Sequence, residues 1–438
     1  MQKRTSGAAR SSRRTFLKQS SAALAFASAL PDSLRSGVFI RTDDTLRVAL
    51  IGCGGRGAGA GVQALRTAGP IKLVAMADAF RDRLDGAFNE ISKEHPDKVD
   101  VPEERKFVGF DAYQKATDCG VDVVLLTTPP GFRPQQFEYA VQQGKHVFME
   151  KPVAVDAPGI RKVLAAAEES KKRNLKVGVG LQRHHDPKYQ ETVRRLQGGA
   201  IGNLVLLRAY WNGAGVWVHA RKPGMTEMEY QMRNWYYFNW LCGDHIVEQH
   251  IHNLDVCNWV KGATPVSAQG QGGRQVRTGV EFGEIYDHHM VEFTYADGSK
   301  MLSQCRHISG CWDSVSEHAH GSAGTADLSA GIIVPATGEE WRYRGEDVDP
   351  YQVEHDRLFA AIRQDQPHNE AEYGALSTMT SILGRMATYS GRLITWQEAI
   401  ASELALVPSA YDWNANPPTL PDEHGRYKIA MPGSTAAM

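Results

Sequence analysis

The sequence is poor in several features that would assign it to well-known classes. Its six cysteines, Cys53, Cys119, Cys242, Cys257, Cys305 and Cys311, are scattered over 438 residues without a Cys-x-x-Cys pair. That density excludes a small disulfide-stapled secreted fold and leaves buried free thiols. No surplus of one charge exists, with 49 Lys and Arg against 50 Asp and Glu. Bulk electrostatics therefore favours neither nucleic acid nor an anionic membrane as partner, and a small, neutral or weakly charged ligand fits better. Internal repeats are absent, and the apolar stretch at residues 22–30 is too short to span a bilayer. What remains, 42% hydrophobic and 23% charged, suffices for two packed globular domains.

The start of the chain carries an address. Ser12, Arg13, Arg14, Thr15, Phe16, Leu17 and Lys18, followed by the short apolar stretch, spell a twin-arginine export signal. Residues 1–42 are accordingly expected to be signal and linker, and the mature protein to be periplasmic or otherwise extracytoplasmic. This route carries proteins that fold, often with a cofactor loaded, before they cross.

Residues 46–51 form an apolar strand that ends in Gly52, Cys53, Gly54, Gly55, Arg56 and Gly57, after which a helix pattern begins. Residues 72–77 read as a second buried strand that delivers Asp78, about 20 residues beyond the last motif glycine. Strand, glycine turn, helix, strand and terminal acid together make a dinucleotide-binding fingerprint. Gly52 permits the tight turn, Gly54 lets the backbone approach a pyrophosphate, and Gly57 lets helix and strand pack closely. Asp78 would accept hydrogen bonds from the ribose hydroxyls and repel an extra phosphate, favouring NAD over NADP, with Arg56 and Arg81 as residues that would admit NADP.

Strand and helix alternate onward. The strand at residues 121–126 ends in Thr127, Thr128, Pro129 and Pro130, and that at 145–149 ends in Glu150, Lys151 and Pro152, the carboxyl ends where parallel sheets collect ligands. After a last strand at 176–180 the pattern changes. An N-terminal Rossmann domain at 43–182 is therefore expected to precede an α+β domain at 183–438 with an open, mainly antiparallel sheet. Its strands are read at 204–210, 287–295, 300–307 and 315–320. Helices near 246–260, 353–363 and 376–391 are expected to cover one face, and Gly270 to Gly273 to form a mobile loop.

Taken together, the glycine turn, Thr128 to Pro130, the run KHVFMEKP at residues 145–152 and the segment from Gln182 to Asp186 closely resemble the Gfo/Idh/MocA oxidoreductases across nearly all of the expected mature chain. The ending, from Glu372 through Trp396, is similar to a secreted branch found in glycan-degrading bacteria. The resemblance implies a nicotinamide cofactor, a carbohydrate substrate and a second domain that often mediates homo-oligomers. It also implies that Lys151 contacts substrate and nicotinamide ribose, and that the proline after it shapes the turn. A second family motif, Asp, three residues, His, two residues, Asp, carries over onto Glu248, His252 and Asp255, with the histidine as acid/base. Here glutamate replaces the first aspartate, His250 stands where glycine is usual, and Arg133 replaces a frequent histidine.

Oxidising a secondary alcohol requires a base near neutrality and a cation to steady the developing alkoxide. His252 is the candidate base and Lys151 the candidate cation, with Glu248 orienting one or the other. On one helix His245, Glu248, His252 and Asp255 would share a narrow face. Cofactor contacts are expected from Gly52, Gly54, Gly55, Arg56, Gly57, Asp78, Thr128, Pro129, Glu150 and Lys151. Substrate contacts are expected from Arg183, His184, Trp235, Tyr236 and Asp255. The aromatic run from Trp235 to Trp240, with Trp211 and Trp217 upstream, suits sugar CH faces or a subunit interface. Glu248, His250 and His252 alternate metal-ligand types, but position 250 points away from the other two on a helix, so no metal is assigned. The leading reading is an NAD(P)-dependent oxidoreductase acting on a sugar, sugar derivative or glycoside, with tightly bound NAD. A redox-neutral NAD-dependent glycosidase and a non-catalytic cofactor-binding scaffold or sensor are the alternatives.

Overall fold

The computed structural model describes residues 44–436, so the twin-arginine segment lies outside the described residues. Six short strands make a parallel sheet: β1 (Leu46–Ile51), β2 (Ile71–Asp78), β3 (Lys106–Val108), β4 (Val123–Leu126), β5 (His146–Met149) and β6 (Val177–Val179). Their order is β3-β2-β1-β4-β5-β6. The strands are apolar without alternation because helices cover both faces. Val48 and Leu50 enter one core with Leu73, Val123 and Leu125. Ala49 and Ile51 enter the other with Val124 and Leu126. Between β1 and its neighbours β2 and β4 the strand order reverses, and there α1 (Gly55–Arg66) starts. This is the position at which such sheets bind ligands.

A second sheet of nine strands follows, made of β7 (Leu204–Gly213), β8 (Ser267–Gly273), β9 (His288–Thr294), β10 (Lys300–His307), β11 (Ser314–Gly321), β12 (Gly324–Asp327), β13 (Ile332–Pro335), β14 (Trp341–Arg342) and β15 (Ile394–Thr395). In the order β14-β13-β12-β11-β7-β10-β9-β8-β15 all pairs are antiparallel except β7 with β10. Along β10 the odd positions Met301, Ser303, Cys305 and His307 are buried while the even ones are half-exposed, the period expected when one face is covered. Among the described residues no helix is long and apolar enough to cross a membrane.

Three expectations are corrected here. The helix near 246–260 is two pieces, α2 (His245–Glu248) and α3 (Ile251–Lys261). At the break the His250 amide bonds back to the His245 carbonyl, an i to i−5 bond that absorbs one extra residue. The helix at 353–363, α4 (Pro350–Gln364), covers the parallel sheet rather than the antiparallel one. Its Leu358 and Phe359 share a core with Phe148 and Leu50; chain order alone does not say which sheet a helix will cap. By contrast α3 and α5 (Ala371–Ser390) do pack on the second sheet, with Leu254 and Leu383 in one core with Val291 and Phe293. Finally, Gly270 to Gly273 finish strand β8 and are no loop. A Cβ at Gly270 would stand 2.6 Å from the Met290 carbonyl oxygen and 3.0 Å from Thr388 of α5. Glycine is used here for close approach, a purpose that composition does not reveal.

Gly270→Ala should therefore destabilise the protein by about 1–3 kcal/mol through overpacking. Gly86→Ala, in the exposed middle of helix Arg81–Glu94 with no atom within 4 Å of the new Cβ, should stabilise it by roughly 0.5–1 kcal/mol. Chemical denaturation of the two variants checks the contrast; equal effects would contradict the packing described.

Candidate active site

The glycine turn is built for something large to lie against it. Gly52 sits at φ 95°, where a Cβ would meet the backbone of Thr127 and Thr128 at 2.5–2.9 Å. A Cβ at Gly57 would stand 2.0 Å from the Gly52 carbonyl oxygen, so α1 can press on β1 only without a side chain. Around Gly54 and Gly55 nothing lies within 4 Å of the place a Cβ would take, which leaves backbone exposed. No side chain caps α1, and its first amides face outward with the positive end of the helix dipole behind them. These glycines line a cavity of about 540 Å³ that also takes in Asp78, Arg83, Thr128, Pro129 and Trp235.

Asp78 closes one end. Its Oδ2 accepts the Cys53 amide at 2.6 Å and its Oδ1 the Phe80 amide at 2.8 Å. Burial raises its pKa, against the lowering effect of those two amides. Each carboxylate oxygen keeps a second acceptor direction for a ribose hydroxyl. The residues expected to admit NADP are committed elsewhere: Arg56 to Glu150 at 2.5 Å, and Arg81 to Asp85 and Glu103. Arg83, which the sequence did not single out, also lines this cavity, and its charge acts on Asp78. The shape, free amides and terminal acid fit a dinucleotide.

A second cavity of about 340 Å³ shares Arg56, Thr127, Thr128, Trp217 and Trp235 with the first. Lys151, Glu248 and His252 all line it. Lys151 Nζ, supplied by the turn after β5, donates to Glu248 Oε1 at 3.0 Å and to the Glu248 carbonyl at 2.5 Å. Both side chains are about one-eighth exposed, 13% each. Burial, then the charge of Lys151, holds His252 well below its ordinary pKa of 6.5. It is a neutral base at pH 7. Trp211 stacks on it at 5.9 Å. Arg133 is buried beneath the floor, donating at 2.6 Å to the carbonyls of Leu126 and Thr128, and burial pushes its pKa down to about 10.

Of the expected substrate residues, Trp235 and Tyr236 line this cavity, whereas Arg183, His184 and Asp255 line neither cavity. Arg183 is bonded to Glu317 of β11, which also accepts from Tyr189 at 3.0 Å and from Asn253. His184 Nε2 pairs with Asp255 Oδ2 at 2.8 Å, sandwiched between Trp259 and Tyr373. Burial opposes the His184 charge, but Asp255 overcomes it and the pKa is raised. Arg183 thus ties its segment to the second sheet, while the His184–Asp255 pair ties the same segment to α3, and Asp255 also accepts from Ser377 of α5. The narrow polar face is likewise broken: His245 turns into the interior, fully buried, and stacks on His307 at 4.2 Å. Nor are Glu248, His250 and His252 brought together, since His250 Nε2 pairs with Ser303 at 2.8 Å. Gln249 and Tyr351 are among the lining residues that the sequence did not single out. Gln249 enters because of the helix break, and Tyr351, under the Arg56 guanidinium at 5.0 Å, arrives from α4.

The architecture has known counterparts. Residues 46–179 match the oxidoreductase family with NAD-binding Rossmann fold, Gfo/Idh/MocA. The scyllo-inositol 2-dehydrogenase (NAD(+)) of Bacillus subtilis is 24% identical over 46% of this chain and 49% of its own length. The chain thus spans about half the length of that relative. The inositol 2-dehydrogenase of Rhizobium meliloti is 26% identical over 64% of this chain and 74% of its own. Among solved structures, scyllo-inositol dehydrogenase from Lactobacillus casei with bound NAD(H) and scyllo-inositol superposes with a TM-score of 0.61 at 20% identity. It covers 81% of this chain and 99% of that one. Both sheets are therefore shared with this structure, not the nucleotide domain alone.

If Asp78 discriminates by charge, NAD should bind apo protein roughly tenfold or more tightly than NADP, the effect of about 1.4 kcal/mol. Asp78→Ser should erase most of the difference. Calorimetric titration of both nucleotides checks this, and tighter binding of NADP to the unaltered chain would contradict it.

Proposed function

We propose that the protein is an NAD-dependent oxidoreductase that oxidises a secondary alcohol of a sugar, sugar derivative or cyclic polyol. The observation that carries the reading is that Lys151, Glu248 and His252 line a cavity sharing walls with the one on the glycine turn. Bound NAD supplies a hydride acceptor; everything else falls to the chain. Glu248 holds the Lys151 ammonium in place, so that it can donate to the reacting oxygen and steady its growing negative charge. His252, kept neutral by burial, accepts the hydroxyl proton. Trp211, Trp217 and Trp235 offer flat faces to CH groups and exclude water, while Gln249 and Tyr236 offer polar edges.

The export reading is part of the proposal. A compartment outside the cytoplasm offers little free NAD, so a twin-arginine passenger of this kind would keep its cofactor through turnover, as a redox-neutral cycle on one or two sugars requires. Trp217 and Trp235, which wall both cavities, are suited to closing over the nicotinamide and slowing release.

The test uses the full chain purified without added cofactor, extracted for bound nicotinamide and assayed on cyclic polyols, aldoses and aryl glycosides with and without NAD. Conversion is expected, with Lys151→Ala at least about a hundredfold slower yet still binding NAD. The oxidising kcat/KM should hold its plateau to below pH 6.5, since His252 protonates only beneath its ordinary value. Equal loss of NAD binding and turnover in Lys151→Ala, or an acid limb at or above 6.5, would contradict the assigned roles.

A further inference from the structure

The residues just before the active-site helix form a second polar cluster that the proposed chemistry does not use. Asp244, His245 and His289 each offer one ligand atom, and the three atoms lie within 4.8 Å of one another in the interior. Asp244 Oδ1 stands 3.3 Å from His289 Nε2 and 3.8 Å from His245 Nε2. All three side chains are fully or almost fully buried.

The proton inventory leaves a gap at the centre. Thr388 Oγ1 gives its one proton to a carbonyl of its own helix, at 3.2 Å to Gly384 or 3.0 Å to Arg385. It must therefore accept at 2.9 Å from His289 Nδ1, which is then the protonated nitrogen. In the neutral ring this leaves His289 Nε2 a bare lone pair facing a carboxylate oxygen, with no hydrogen bond made. Two lone pairs at 3.3 Å repel unless a cation lies between them. His245 is more exceptional still, with both ring nitrogens buried and neither partnered. Buried polar groups are nearly always satisfied, and one left over calls for an explanation, a bound ion among them.

The surroundings complete a ligand set. Asp244 Oδ2, the oxygen turned away from the histidines, is held by the Tyr286 amide at 3.0 Å and the Tyr389 hydroxyl at 2.5 Å. A hydrogen-bonded second oxygen and a second ring nitrogen held by an oxygen are the usual outer supports of metal ligands. Asp244 itself sits at φ 74°, ψ 160°, a strained conformation for a residue with a side chain. Burial, then His307 and His289, keeps the His245 imidazole well below 6.5 and hence neutral, the form that ligates. Arg277 and Arg385 are the nearby cations and Glu284 the nearby acid.

We propose that Asp244, His245 and His289 bind one divalent transition-metal ion of the zinc class, with a fourth position left for water. Two imidazoles and a carboxylate suit zinc over calcium or magnesium. The ion is structural. It fixes the start of α2, and His307, stacked on His245, passes that order to Gln249 at 2.9 Å, which also faces the Tyr236 hydroxyl at 3.2 Å in the substrate cavity. The competing occupant is a proton, making an imidazolium of His289.

The full chain without a histidine tag, grown with zinc, should carry a single equivalent of metal by inductively coupled plasma mass spectrometry. After chelation, cobalt(II) alone should give visible ligand-field bands that saturate at one equivalent. Thr388→Val, which removes only an outer support, should weaken cobalt binding about 10–100-fold. His289→Gln should abolish it, while His288→Gln, the strand neighbour on the opposite face, should leave it unchanged. Absence of metal and of cobalt bands in the unaltered chain would overturn the proposal and leave the proton. So would cobalt binding that survives His289→Gln. The unaltered chain and Thr388→Val decide the matter should His289→Gln fail to fold.

Discussion

The arrangement turns on one contact: Lys151, at the carboxyl end of the parallel sheet, reaches to Glu248, the last residue of α2, just before the helix α3 that caps the second sheet. The ammonium is sheltered and held by a partner that comes from 97 residues later in the chain. The pairing brings the carboxyl ends of β4 and β5 against the first turns of α2 and α3. The seam between them is where the two cavities share Arg56, Thr127, Thr128, Trp217 and Trp235. Without that contact the ammonium would be free to swing, and His252 would lose the neighbouring charge that helps to keep it neutral.

What was legible in the sequence was what is decided locally. The roles of Gly52, Gly54 and Gly57 follow from a turn that only glycine can make, within a single strand–turn–helix unit. The alternating strands β9 and β10 declare themselves because one face is buried and the other wet. Lys151, Glu248 and His252 were singled out through a family motif, and the fold brings them to the wall of one cavity. The departures share a physical cause as well. Arg183, His184 and Asp255, expected at the substrate, line neither cavity, and their partners Glu317, Ser377 and Trp259 come from distant elements that no local pattern announces. The assignment of α4 failed likewise, because the side of a helix that is apolar is readable while the sheet it caps is not.

The break between α2 and α3 shows how a single extra residue changes a site. An unbroken helix would have aligned His245 with Glu248 and His252. The i to i−5 bond at His250 instead sends His245 inward, seats His250 on Ser303 and turns Gln249 into the cavity wall. Buried histidines are costly to leave half-satisfied, so the fold near β9 and β10 is constrained by hydrogen bonding as much as by packing. The aromatic wall and the histidine cluster are parts of one interior, joined through His307 and Gln249.

The most direct measurement is a double-mutant cycle on the seam, with Lys151→Met, Glu248→Gln and the pair compared by chemical denaturation of the full chain. If the ion pair joins the two sheets as described, the coupling between the substitutions should reach about 1–3 kcal/mol, the range for contacting groups in one network. A coupling of about 0–0.5 kcal/mol, as for a solvated surface pair, would contradict the account, because Lys151 and Glu248 would then be placed independently of one another.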